Sequence, residues 1–85
     1  MSRLIIDVRE PQEYASGHVL GSVNIPPSKL MGDLGELADV PKDNEIILYC
    51  RTGSRSNVAI HMLKAKGFTN LVNGINRDQV EAHYL

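Results

Sequence analysis

Four short, β-branched, apolar runs punctuate this chain, and each ends on turn chemistry before a helical pattern begins. They are Leu4–Val8, Val23–Ile25, Glu45–Tyr49 and Asn70–Val72. Runs this short and this apolar read as buried strands. Strands that alternate with helical segments predict an α/β fold: a small parallel sheet of about four strands, flanked by helices and joined by right-handed crossovers. All 85 residues are expected to form one domain, near the lower end of what folds alone. The chain holds one phenylalanine and no tryptophan, so its core must be mostly aliphatic.

Pro11 opens a short helix reaching Ala15, and Pro26-Pro27 stops the second strand. Ser28 reads as the N-cap of a helix carrying Leu30, Met31, Leu34, Leu37 and Ala38 on one face, against the preference of Gly32 and Gly35. The best helix follows the third strand, with Val58, Ala59, Met62, Leu63 and the stem of Lys66 as its buried face. Gly67 serves as its C′ residue, and Phe68 packs back on it. The tail from Asn76 forms a last helix buried through Val80, Tyr84 and Leu85.

If the first strand lies between the second and the third, the chain order reverses there. Ligands in such sheets bind at the carboxyl ends of the strands flanking that point. Those ends are Val8-Arg9 and Tyr49-Cys50, which predicts that Arg9 neighbours the Cys50 loop.

That loop, Cys50-Arg51-Thr52-Gly53-Ser54-Arg55-Ser56, is the most informative segment. The first N–H groups of the following helix have no intrahelical partners and carry the positive end of its dipole. A curled loop aims several of them at one point and stabilises an anion, here the nucleophilic thiolate. Gly53 permits the turn, and Arg51 and Arg55 add positive charge. A lone cysteine at a strand end is more often a small buried hydrophobe. Two arginines, a glycine and three hydroxyls directly after it argue for reactivity instead. Arg55 in a first helical turn opposes the dipole, a cost that points to function. Ser54 and Ser56 can donate to an anion or cap the helix, and capping is expected of Ser56. Asp7 orients Arg9 or the loop, or forms a surface ion pair.

Other classes are disfavoured. A net charge of −1 gives no footprint for nucleic acid or an anionic membrane. One cysteine excludes a disulfide-stapled scaffold, and no apolar stretch spans a bilayer. The simplest location is cytoplasmic, with a processed periplasmic chain as the alternative. His18 reads as structural, and His61 as solvated. With His83 and Cys50 they show no metal-ligand spacing.

Two stretches resemble the rhodanese-homology domain, especially the small phage-shock-type sulfurtransferases. One is Ile6-Asp7-Val8-Arg9-Glu10-Pro11-Gln12-Glu13-Tyr14 with Gly17-His18-Val19, Gly21-Ser22 and Asn24-Ile25-Pro26; the other is the Cys50–Ser56 loop. The resemblance implies a thiosulfate-type sulfurtransferase in which Cys50 carries a persulfide, with no metal or organic cofactor. A small-molecule donor such as thiosulfate and a thiol or cyanide acceptor are implied, or protein partners if the chain is a persulfide relay. Arg9 would help bind the anionic donor, and Thr52 and Arg55 would influence substrate choice. An inactive binding domain is a further alternative, opposed by the apparently complete loop. Four residues separate Cys50 from Arg55, one fewer than in related phosphatases and arsenate reductases, so that chemistry is disfavoured. The family usually has a strand and helix before the Asp-Val-Arg segment. One edge strand is therefore expected to be missing, leaving Asn70–Val72 at an edge. Asn73-Gly74-Ile75-Asn76 replaces the usual late Gly-Gly pair.

Overall fold

The computed structural model describes residues 3–31 and 35–85. Four parallel strands form one sheet in the order β2-β1-β3-β4. They are β1 (Leu4–Asp7), β2 (Val23–Asn24), β3 (Ile46–Cys50) and β4 (Leu71–Asn76). The helices are α1 (Pro11–Ala15), α2 (Pro27–Leu30), α3 (Ser54–Ala65) and α4 (Arg77–His83), with a 3-10 turn at Gly35–Leu37. The expected α/β architecture is present, with β1 between β2 and β3 and β4 at an edge. No helix among the described residues is long and apolar enough to cross a membrane.

The period-2 alternation of the strands sorts the core into two layers. Ile6, Val8, Ile46, Leu48 and Cys50 face α2 and α3, where they meet Leu30, Ala59, Leu63 and Phe68. Ile5, Ile47 and Tyr49 face the other way, with Val19 and Val80. Cys50 and Tyr49 are therefore chain neighbours on opposite faces of the sheet.

The helix expected behind Ser28 is capped by Pro26, with Pro27 as its first residue, and α2 ends at Leu30. Gly35 has φ +53°, outside the α-helical range, so the expected α-helix does not run through it. Leu30 and Leu37 are buried as expected, Met31 and Ala38 are exposed, and Leu34 lies outside the described residues. Helix α3 is rotated from the expected face. Its buried stripe is Ser56, Ala59, Ile60 and Leu63, while Val58 is exposed. The fourth strand runs on to Asn76. Leu85 is exposed; α4 buries Val80, and Tyr84 just beyond its end is half-buried. At the end of α3, Gly67 takes φ +99° and Phe68 donates its N–H to the Leu63 carbonyl, as the C′ reading anticipates.

Candidate active site

The ends of β1 and β3 meet as the topology demands. Asp7 lies opposite Tyr49 in the register, and the Val8 N–H donates to the Tyr49 carbonyl at 3.0 Å. Cys50 ends β3, and α3 begins at Ser54. Gly53 joins them at φ +94°, a conformation that glycine adopts without strain.

That conformation turns the Gly53 N–H onto Cys50, donating to Sγ at 3.1 Å. The Ser56 Oγ approaches Sγ at 3.5 Å. Burial pushes the Cys50 thiol up. The Ser56 hydroxyl and the backbone N–H groups of Ser56, Thr52 and Gly53 outweigh it, and the pKa falls to about 7. That brings the thiolate into the neutral range, although the residue is only 2% exposed. Arg51, Thr52 and Ser54 form the exposed rim, with the Thr52 and Ser54 hydroxyls 3.2 Å apart. Ser56 is not the helix cap, since Gly53 holds that position. Ser56 lies inside the first turn, fully buried, with its hydroxyl within reach of the sulfur.

Neither Arg9 nor Arg55 is aimed at Sγ. The Arg9 guanidinium donates to both carboxylate oxygens of Asp7 and to the Gly17 carbonyl. It lies over the Tyr49 ring, on the sheet face opposite Cys50. Arg9 thus neighbours the end of β3 as expected, with its side chain in a buried bridge. The hydrogen bonds to Asp7, with the attraction of that carboxylate, hold its pKa above the ordinary value against the opposing effect of burial. Asp7, fully buried, accepts from Arg9 N and from the Tyr49 hydroxyl as well. It is the anchor of the β1 end rather than a surface partner. Arg55 donates to Glu13 of α1 at 2.7 and 3.1 Å. His18 stacks on Tyr14 and bonds the Tyr14 carbonyl, a structural role.

Asn73 was not among the expected site residues. It donates through Nδ2 to the Gly53 carbonyl at 3.1 Å and accepts at Oδ1 from Ser56 Oγ at 2.7 Å. The β4 register shifts by one residue between Leu48 and Tyr49, making Gly74 the extra residue of a bulge. Alternation from Leu71 was the available signal, because Leu71 packs on the α3 side and Asn73 is two residues on. A cavity of about 280 Å³ lined by Pro41, Asp43, Asn44, Glu45 and Asn70 sits at the amino ends of β3 and β4. It is at the wrong end of the sheet for Cys50 chemistry.

A thiolate ringed by N–H donors at a strand-to-helix turn is suited to nucleophilic attack on a soft centre such as sulfur. Comparison with known proteins points the same way. The chain is 41% identical over 69 residues to the uncharacterized protein YqhL of Bacillus subtilis, covering 81% of this chain and 52% of that one. It is 35% identical over 69 residues to the thiosulfate sulfurtransferase PspE of Escherichia coli, covering 80% of this chain and 64% of PspE. It thus spans between about half and two thirds of the length of these relatives. A solved rhodanese with anions from E. coli superposes with a TM-score of 0.81 at 29% identity, covering 92% of this chain and 91% of that one. The model of the rhodanese-like domain matches residues 1–77, a span that contains both the Asp7–Arg9 bridge and the Cys50 loop. By fold, by loop and by sequence, this chain belongs to the rhodanese-like domain family.

Proposed function

We propose that the chain is a sulfurtransferase that moves a sulfane sulfur through a persulfide on Cys50. The carrying observation is the Gly53 N–H donating to Sγ at 3.1 Å in a loop that brings the thiol to about 7. With thiosulfate, the Cys50 thiolate attacks the outer sulfur. A sulfur–sulfur bond forms, the donor's own sulfur–sulfur bond breaks, and sulfite leaves with its electron pair. The acceptor, cyanide or a thiolate, then attacks the terminal sulfur and Cys50 departs as thiolate. The loop N–H groups stabilise negative charge on sulfur at both stages.

One observation favours a variant of this reading. Arg9 and Arg55 are already paired with carboxylates, so the site offers a small free anion less positive charge than its sequence implies. A persulfide relay fed by a protein donor fits that balance, with Arg51 as the exposed cation at the rim.

Intact mass after incubation with thiosulfate, without reductant, tests the reading. Wild type should gain one sulfur atom and lose it to cyanide, while Cys50→Ser gains none. Sulfur loading from a persulfide donor but not from thiosulfate selects the relay. Loading from neither overturns both.

A further inference from the structure

Ser56 has one proton and three acceptors around it. Its Oγ lies 3.1 Å from the Gly53 carbonyl, 2.7 Å from Asn73 Oδ1 and 3.5 Å from Cys50 Sγ. The Gly53 carbonyl already accepts from the Asn57 N–H at 3.0 Å and from Asn73 Nδ2 at 3.1 Å, which fills its two lone pairs. The contest is therefore between Asn73 and the sulfur.

The orientation of the Asn73 amide is fixed by its other partners. The Ile75 N–H at 3.0 Å can only donate, so the atom it meets must be Oδ1. The Gly53 carbonyl can only accept, so the atom it meets must be Nδ2. Asn73 thus presents an acceptor, and never a donor, to Ser56. The bulge at Gly74 creates this arrangement by turning the Ile75 N–H back onto the Asn73 side chain.

We infer that Asn73 is a positioning residue that competes with Cys50 for the hydroxyl proton of Ser56. While Cys50 is a thiol, Ser56 donates to Asn73 and accepts from the S–H. When the sulfur becomes anionic, its proton leaves to solvent and the Ser56 O–H turns to Sγ, giving up Asn73. Formation of the nucleophile therefore carries the loss of one short hydrogen bond. Asn73 restrains the thiolate through Ser56, while its Nδ2 steadies the Gly53 turn that supports it.

The inference rests on Cys50 as the reacting sulfur, and its test reads the thiol directly, whether or not sulfur is transferred. The rate of iodoacetamide alkylation of Cys50 is measured against pH for wild type, Asn73→Ala and Asn73→Gly. Circular dichroism identifies the folded variants, and either truncation suffices. Removing the competitor should lower the midpoint by about half a unit, as expected for a hydrogen bond of ordinary net strength. In a Ser56→Ala background the same truncation should leave the midpoint unmoved. An upward or absent shift in the wild-type background would show that Asn73 merely braces the loop. So would an equal shift without Ser56. If both truncations unfold, Asn73→Asp supplies the reading. Its carboxylate binds the Ser56 proton more tightly, so it should raise the midpoint by more with Ser56 present than with Ser56→Ala. Equal rises would overturn the inference.

Discussion

Glu13 of α1 grips Arg55 in the first turn of α3, accepting two hydrogen bonds of 2.7 and 3.1 Å from its guanidinium. Glu13 Oε1 also accepts from the Glu10 N–H at 3.0 Å, so the same carboxylate closes the first turn of α1. The Arg55 hydrogen bonds, followed by the Glu10 N–H, hold Glu13 down at about 2. The pair is thus fully charged at neutral pH. It also relieves the unfavourable placement of an arginine in the first turn of α3.

Glu13→Gln should release Arg55 to an incoming anion. The expected result is a several-fold lower KM for thiosulfate with little change in kcat, and Arg55→Ala should erase the gain. The pair is partly exposed, so its loss should change stability only slightly. The sign of the pH effect is fixed: a depressed carboxylate stabilises above its unfolded pKa of about 4.3 and loses that contribution as pH falls toward 2. Thermal melts of wild type and Glu13→Gln should therefore draw together as pH falls below about 4 and converge only near pH 2. An unchanged KM for Glu13→Gln would mean that Arg55 does not meet the donor.

The Cys50 thiol at about 7 predicts a sigmoidal rise in alkylation rate with half its plateau near neutral pH. Ser56→Ala removes a donor to the thiolate at 3.5 Å. The midpoint should then move up by about half a unit to one unit, leaving less thiolate at pH 7. Mass spectrometry of quenched time points measures it. A midpoint near 9 in wild type would mean that the loop does not activate the sulfur.

The Tyr49 hydroxyl sits behind the site, donating to Asp7 Oδ2 at 3.0 Å and accepting from the Val19 N–H at 3.0 Å. Asp7 keeps Arg9 when that hydroxyl is removed, but the buried Val19 N–H is left without this acceptor. Tyr49→Phe should cost about 1–3 kcal/mol in urea unfolding. The Cys50 midpoint should stay in place, because the hydroxyl belongs to the opposite sheet face. A variant as stable as wild type would mean that water replaces the hydroxyl.

Much of this arrangement is legible in the sequence because it is local. Leu4–Val8 and Glu45–Tyr49 read as strands by composition alone, each bound within one residue of β1 and β3, and Gly53 marks the turn that aims its N–H at the sulfur. The misread segments have physical causes. Val58 looks like a core residue until Ser56 claims the sheet-facing stripe of α3, because a buried serine has no place in an apolar pattern. Gly74 lies beyond the expected end of the fourth strand at Val72, yet it is a bulge residue within β4 whose added Cβ would lie 2.5 Å from Val80 Cγ2 and 2.9 Å from Ile47 Cγ2. The grip of Glu13 on Arg55 joins residues on α1 and α3, and no spacing rule connects them. The positive charge visible in the sequence is real, but its neutralisation is a tertiary fact.

The bulge also stores strain that can be measured. Ile75 has φ +74°, where a β-branched side chain meets its own backbone. It is 43% exposed, so burial provides little compensation. What the conformation supplies is the direction of its N–H, which reaches Asn73 Oδ1. Asparagine tolerates this region far better than isoleucine. Ile75→Asn should therefore stabilise the fold by about 1 kcal/mol, the lower end of the usual strain at such positions. Ile75→Gly should gain less, because glycine relieves the strain but loses about 0.5–1 kcal/mol of backbone entropy. Urea midpoints should rank Asn above Gly and Gly at or above wild type. The opposite order would mean that the Ile75 side chain, which lies 3.5 Å from where a Gly53 Cβ would stand, holds the Cys50 loop by contact and outweighs its own strain.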